Sequence, residues 1–455
     1  MHIRFLVNNS RFSFSRLSAW VGACLGAVVL AVAVVIFIFG KGILNGYGKG
    51  KIERAFAKAY PGYSLRIGEL DYAVSGDRLV AQFVSLEATN ATIKIGQFSL
   101  AGVPWARLLW GTATPVDVLA KASLDATNLD VEFPLSHYGI RCAQLRASVP
   151  RSELLLQGTE FRTLVGDEEF FAAHKFRTTR FHLMVPECSV VGLAYDQLLE
   201  GKSYRATSIR LDRPSFDALV NRDKSADPFV KRPLMVHEAL AEIRQPLHVD
   251  NLSITDGHLV YGERVVAGAD PGVLTIAAVN ISVKGIVNGG EASAAIRLQA
   301  QGDLMDSGAL TVLMSIPITP RDFSLHYSGS LRTMDLTRFN SFLENAEHTR
   351  IKSGSAQEAA FEIDVTAGRA RGRVRAIYKD LEIAVLDKQT GTENGLGNRV
   401  ASFLTNVLKI RNSNASDSAG SMKEGEVNYT RSPDDEFQQF AWFALRSGVV
   451  DIISH

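Results

Sequence analysis

Hydrophobic and polar residues follow two different patterns along this chain, and the change between them comes early. Residues 17–39 form an uninterrupted run of 23 residues without a charge. About 20 apolar residues span the hydrocarbon core of a bilayer as a helix, so the run predicts one transmembrane helix after a short tail, 1–16. A cleaved signal peptide is the alternative, but its apolar region covers only about 7–15 residues. Phe39-Gly40-Lys41 also lacks the small-x-small pattern of a cleavage site.

Residues 40–62 form a basic juxtamembrane segment. Helical spacing is followed by Ile52, Ala55, Phe56 and Ala59, with basic residues between them. One interpretation is an interfacial helix on anionic headgroups; the other is a short helix that caps the following domain. The pattern favours neither, and Pro61-Gly62 ends the helix in both cases.

From Tyr63 onward, apolar and polar residues alternate with a period of two, which is typical of strands with one buried face. Turn signals such as Ser75-Gly76-Asp77 separate about 16 to 20 strands, almost all of hairpin type. Helices are predicted from Asp335 to Asn345, with Asp335 as N-cap, and over 398–410 and 434–453. The charged stretch 221–233, which contains two prolines, is the best candidate for a long loop or an internal boundary.

No signal divides 63–455 into domains of ordinary size. The sequence therefore predicts a mainly β body, one long curved antiparallel sheet forming an apolar groove, with a few short capping helices near the C-terminus. The groove-lining residues are expected to be the alternating apolar ones: Leu65, Ile67, Leu79, Phe83, Ile93, Ile95, Leu259, Ile296, Leu298, Leu310, Val312, Leu325 and Tyr327. Alternation indicates which residues share a face, not what that face touches, so the ordinary core of a sandwich is an equal alternative.

The stretch RARGRVR alternates arginine with small or apolar residues. On a strand this pattern places four side chains on one face: Arg369, Arg371, Arg373 and Arg375. That face could meet anionic lipid headgroups. A solvated outer face is the alternative, and the pattern favours it.

Charge and cysteine content remove several classes of function. A net charge of +1 gives no global field for nucleic acid. Of the three cysteines, Cys24 lies in the apolar run, so only Cys142 and Cys188 are left, and whether they pair stays open. The chain contains no HExxH, P-loop, dinucleotide-binding, GxSxG or CxxC motif. We therefore expect no enzyme activity, no cofactor and no metal site.

The topology that the charges predict is ambiguous. Near the apolar run, the basic residues are Arg4, Arg11 and Arg16 before it and Lys41, Lys49, Lys51, Arg54 and Lys58 after it. The heavier positive load favours a cytoplasmic body, although large domains can cross a membrane regardless of this bias.

The sequence pattern of residues 63–455 resembles that of a known family. The stretches that carry the resemblance are SLRIGELDYAVSGDRLVAQFVSLEATNATIKIGQFSL, LHVDNLSITDGHLVYGE, SLRTMDLTRFNSFLENAEHTRIKSGSAQEAAFEIDVTAGRARGRVRAIYKDLEIAVLD and NRVASFLTNVLKIRNSN. They resemble the AsmA-like family of bacterial envelope proteins, related to TamB and to the bridge-like lipid transfer proteins. The resemblance covers nearly the whole chain. It depends on the pattern of strand-like stretches and on a few fixed positions, such as Gly368, Gly372 and Tyr378-Lys379-Asp380-Leu381.

The resemblance implies a β-groove body in the periplasm, held by a single-pass anchor in the inner membrane. It also implies a role in lipid transport or outer-membrane lipid homeostasis, with membrane phospholipids, further envelope proteins or a second copy as partners. The competing hypothesis is an anchored scaffold or assembly factor that binds partner proteins by strand addition at a sheet edge.

Overall fold

The structure is a computed structural model that describes residues 49–59, 62–73, 77–88, 90–103, 120–228, 232–289, 295–318, 322–387, 393–394, 410–415 and 422–454. The predicted tail 1–16, the transmembrane run 17–39 and the predicted helix 398–410, apart from Ile410, lie outside these ranges. Within them, no helix has both the length and the apolar character needed to cross a bilayer. The chain forms two compact units, which divide at Pro214 and Ser215; His174–Arg180 belongs to the second.

The first unit is an antiparallel sheet of strands that pair in sequence order. Its strands are β1 Tyr63–Ala73, β2 Arg78–Ala88, β3 Ala91–Ala101, β4 Ser123–Phe133, β5 Tyr138–Ser148, β6 Glu153–Thr163, β7 Thr179–Val191, which belongs to this unit from Phe181 onward, and β8 Tyr204–Asp212. The helices are α1 Lys49–Ala59, α2 Asp167–Ala172 and α3 Tyr195–Leu199, with a 3-10 turn at Pro134–Ser136. This order confirms the mainly β, antiparallel prediction for the first unit.

The second unit is also mainly β. Its strands are β9 Ser215–Asn221, β10 Leu247–Arg264, β11 Gly272–Val287, β12 Ala295–Leu304, β13 Gly308–Pro317, β14 Leu325–Asp335, β15 Thr349–Thr366, β16 Arg369–Leu386, β17 Glu393–Asn394 and β18 Glu424–Thr430. The helices are α4 Val236–Ala241, α5 Asn340–Glu347 and α6 Phe437–Ile453, with a 3-10 turn at Leu336–Phe339. Strands β10 to β16 pair consecutively and antiparallel, and β16 also pairs with β17 and β18.

One pairing in the second unit is not a hairpin. Strand β9 runs parallel to β10, with Ser215 opposite His258 and Asn221 opposite Arg264. Parallel neighbours need a long crossover connection, and residues 222–246, which include α4, supply it. The predicted loop 221–233 lies between β9 and α4 along the chain, apart from Asn221, which ends β9, and residues 229–231, which lie outside the described ranges.

A row of residues that crosses the first sheet interrupts the alternation within its strands. The row consists of Gly68, Phe83, Gly96, Asn128, Ala143, Gly158 and Pro186. Each lies opposite the next on the neighbouring strand but is not paired with it, and the register of the strands is the same on both sides of the row. Phe83, Asn128 and Gly158 have φ angles of 52°, 54° and 59°. A Cβ atom at Gly68 would lie 2.8 Å from the Cβ atom of Phe83, so this glycine makes room for the left-handed neighbour.

The helix predicted to start after Asp335 is present in two parts. The Asp335 carboxylate accepts hydrogen bonds from the Thr337 backbone N–H (3.0 Å) and hydroxyl (2.7 Å), which makes it the N-cap. A 3-10 turn follows and continues as α5 to Glu347. The prediction of a capped helix here is confirmed.

Helix α6 packs on the sheet of the second unit through a contact between two glycines. A Cβ atom at Gly425 on β18 would lie 2.0 Å from the carbonyl oxygen of Gly448 on α6. A Cβ atom at Gly448 would lie 2.5 Å from a methyl carbon of Val374 on β16. The helix backbone therefore approaches the strands more closely than a residue with a side chain allows.

We expect Gly425→Ala to destabilise the second unit by about 2–3 kcal/mol, because the added methyl meets backbone atoms that no rotamer change can move. Urea unfolding of the full chain, followed by circular dichroism, measures this. The matched control is Gly289→Ala, where a Cβ atom meets nothing within 4 Å. Equal midpoints for the two variants would show that α6 does not lie this close to β18.

Candidate functional site

The predicted residues of the first unit lie side by side on one face of its sheet. Residues directly opposite each other in an antiparallel pair point to the same side. One row consists of Leu65, Leu86, Ile93 and Val131; the next of Ile67, Val84, Ile95 and Leu129; and Leu79 heads a row with Leu100 and Leu124. The structure thus brings five of the six predicted residues of this unit onto one continuous apolar face.

Phe83 is the exception among these six residues. It belongs to the row of left-handed and small residues, and 68% of its surface is exposed. Because two consecutive residues, Gln82 and Phe83, stand between Ala81 and Val84, the alternation changes phase by one position. Ala81 and Val84 both face buried or half-buried partners on β3, so the apolar face continues across the row while Phe83 leaves it.

Ion pairs cover the opposite face of the first sheet. Arg141 pairs with Asp130 (3.2 Å) and Arg146 with Asp125 (3.1 Å) across neighbouring strands, and on the same face His182 forms a hydrogen bond with Glu160 (2.9 Å). Exposed pairs of this kind add little stability. Their consequence is a sheet with one apolar side and one charged side.

In the second unit, three predicted residues lie in a core covered by helices. Ile296, Leu325 and Tyr327 are at most 5% exposed and belong to a cluster that includes Phe440 of α6 and Met235 beside α4. The Tyr327 hydroxyl donates a hydrogen bond to the carbonyl oxygen of Ala441 on α6 (3.1 Å), and burial raises the pKa of Tyr327. For these three positions the structure shows ordinary packed core.

The remaining predicted residues of the second unit are half-buried on the same face. Leu298 lies opposite Met314, which is opposite Tyr327, and Val312 and Leu310 follow on the next rows. Leu259 lies opposite Ile276 on β11. None of these four belongs to the fully buried helix-covered cluster, so they form the less covered part of the apolar face.

The four arginines of β16 are all exposed, while Ala370 and Val374 between them are buried. Carboxylates flank the arginines on both sides: Arg373 lies opposite Glu362 on β15 and Glu426 on β18, and its guanidinium lies 3.7 Å from Glu424. The predicted single face is present, but its positive charge is largely compensated. This arrangement is typical of a solvated outer surface, and a headgroup role stays a prediction.

Helix α6 also occupies the outer edge of β18. The backbone N–H of Glu426 donates to the carboxylate of Asp451 (2.9 Å), and the N–H of Asn428 donates to the hydroxyl of Ser447 (3.2 Å). These are the donors that an added strand would need. Both are satisfied within the chain, so this edge does not offer a free pairing surface there.

The described ranges contain two cysteines, one buried and one half-buried. Cys142 and Cys188 lie on the apolar face as free thiols, and they do not form a disulfide with each other. Burial, followed by the neighbouring Cys142, raises the pKa of Cys188 to about 11, and burial also raises the pKa of Cys142. Across the residues that the structure describes, no three His, Cys, Asp or Glu side chains group as metal ligands.

No protein-family model matches this chain, and no curated protein matches it at a significant level.

Proposed function

We propose that this protein is a lipid-carrying protein of a bacterial envelope. In this proposal, residues 17–39 anchor it in the inner membrane, the body lies in the periplasm, and the apolar face of the sheet carries phospholipid acyl chains. The lipid would move between membranes or support the lipid balance of the outer membrane. The observation that carries the proposal is the separation of faces, with apolar rows across β1 to β4 and ion pairs between β4 and β5 on the reverse side.

Acyl chains need an apolar surface screened from water and little else. Each methylene group removed from water contributes about 0.8 kcal/mol, so a continuous apolar face binds a lipid tail without hydrogen-bonding groups. The half-buried residues Leu298, Leu310 and Val312 offer such a surface outside the helix-covered cluster. The lipid headgroup needs only access to water along the strands.

The scaffold hypothesis receives less support from the described residues. Strand addition needs unpaired backbone donors at a sheet edge. At β18 the donors of Glu426 and Asn428 are bound by side chains of α6. A partner strand would have to displace both contacts before it could pair.

Site-specific photo-crosslinking in the full chain tests the proposal. A photo-crosslinking amino acid in place of Leu298 is expected to yield phospholipid adducts in cells, detected by mass spectrometry. The matched control replaces Leu313, which lies on the neighbouring strand β13, faces the opposite side and is 48% exposed. Adducts at Leu298 and not at Leu313 support lipid carriage on the apolar face.

The opposite distribution would contradict the proposal. If the position of Leu298 yields no lipid adduct in a folded, membrane-inserted chain, the apolar face is ordinary core. If Leu298 yields adducts with a protein instead, the scaffold hypothesis replaces lipid carriage.

A further inference from the structure

Helix α1 is fixed to the first sheet by one of its sides. Phe56 is only 2% exposed, and the Glu53 carboxylate accepts a hydrogen bond from the backbone N–H of Ile67 on β1 (2.9 Å). The single acidic side chain of α1 is therefore used to satisfy the strand. The sequence allowed either an interfacial helix or a helix that caps the following domain. The side of α1 that carries Phe56 and Glu53 forms such a cap on the first sheet.

The other side of α1 is basic and exposed. Arg54 and Lys58 are four residues apart and thus lie on one helix face. Arg54 donates to the carbonyl oxygen of Gly50 (2.8 Å). Among the described residues, no carboxylate forms an ion pair with Arg54 or Lys58, in contrast to the paired cations on the reverse face of the sheet.

The position of α1 in the chain limits how far this basic side can be from a membrane. Only residues 40–48 separate the predicted transmembrane run from Lys49, where the helix begins. The ten steps from Phe39 to Lys49 span at most about 36 Å when fully extended. The start of α1 is thus tethered to the bilayer that would contain residues 17–39.

We propose that α1 binds two surfaces at once, the sheet through Phe56 and Glu53 and anionic phospholipid headgroups through Arg54 and Lys58. Basic side chains close to an anionic membrane surface are attracted to it, and the attraction declines within a Debye length. The helix would hold the body at a fixed distance from the bilayer. This inference rests on the predicted transmembrane run and does not require that the sheet carries lipid.

Photo-crosslinking from α1 tests the contact. The full chain is reconstituted in nanodiscs of phosphatidylglycerol or of phosphatidylcholine, with a photo-crosslinking amino acid in place of Ala57, an exposed residue of α1. Lipid adducts are expected with phosphatidylglycerol and to be much fewer with phosphatidylcholine. Each basic residue contributes about fivefold, so the double variant Arg54→Gln and Lys58→Gln is expected to weaken the contact about 30-fold.

The control neutralises two exposed arginines of the second unit, Arg297→Gln and Arg332→Gln, and is expected to leave the adducts unchanged. Equal adducts in both lipids, or an unaffected double variant, would overturn the proposed contact, as would the absence of adducts in phosphatidylglycerol. Adducts at Ala57 without adducts at Leu298 would overturn lipid carriage alone and leave the headgroup contact standing.

Discussion

Removal of residues 437–455 is expected to unfold the second unit. Helix α6 contributes Phe440, Ala444, Ile452 and Ile453 to a cluster with Ile363 of β15, and each is at most 6% exposed. Burial of one large apolar side chain contributes about 1.5–3 kcal/mol, and a domain is stable by only about 5–15 kcal/mol. Loss of the whole helix therefore exceeds what the remaining sheet can compensate.

Limited proteolysis and hydrogen exchange of the chain that lacks residues 437–455 measure whether the second unit is still folded. We expect loss of protection in β15, β16 and β18, because these strands lose the apolar cover of α6. A truncated chain whose strands β15, β16 and β18 keep their protection would contradict this expectation.

Two aromatic residues of α6 provide a matched pair for the same question. Phe440 is completely buried, whereas Trp442, two residues later, is 49% exposed. Phe440→Ala is expected to cost about 3–5 kcal/mol, and Trp442→Ala much less, since half of its surface already faces water. Similar losses for both variants would mean that the helix does not pack in the orientation described.

The period of two was enough to identify most strands and the face that their apolar residues share. It placed Leu65, Ile67 and Ile95 together because a strand has only two sides. It misplaced Phe83, since a left-handed residue shifts the phase within a strand without changing the register.

A signal for this shift is present in the sequence. In successive strands the apolar face steps by three instead of two, from Ala81 to Val84, from Ile95 to Phe98, from Ala126 to Leu129 and from Cys142 to Leu145. The step recurs at matching positions because facing residues must change phase together to keep their ladder. A single step of three in one strand is not informative. Its repetition in successive strands indicates the row of left-handed and small residues.

What covers a face could not be predicted from alternation. Leu298 on β12 and Tyr327 on β14 lie in one row with Met314 of β13 between them, yet only Tyr327 is buried beneath α6, to which its hydroxyl donates a hydrogen bond. The cover comes from a helix more than 100 residues later in the chain. Contacts of that separation depend on how the whole unit folds, and local periodicity carries no information about them.

Asn414→Ala is expected to destabilise the second unit by about 3–5 kcal/mol. Asn414 is 1% exposed, and its side chain amide donates to the carbonyl oxygens of Ala376 (2.7 Å) and Lys423 (2.9 Å). Its carbonyl oxygen accepts from the backbone N–H of Lys423 (3.0 Å). Alanine removes these three hydrogen bonds, and each buried group that is left unsatisfied costs about 1–3 kcal/mol.

Two further variants separate the hydrogen bonds from simple loss of volume. Asn414→Asp has nearly the same shape but cannot donate when ionised, so its oxygens would face the carbonyls of Ala376 and Lys423, and we expect a loss at least as large as with alanine. Asn412→Ala, at an exposed position two residues earlier whose side chain donates only to Leu381, is expected to cost less than about 1 kcal/mol. Urea unfolding distinguishes the three: if Asn414→Asp is as stable as the unchanged protein, the amide does not bridge β16 and the segment before β18. If it is the least stable, this one side chain joins two segments whose sequence gives no pattern for their pairing.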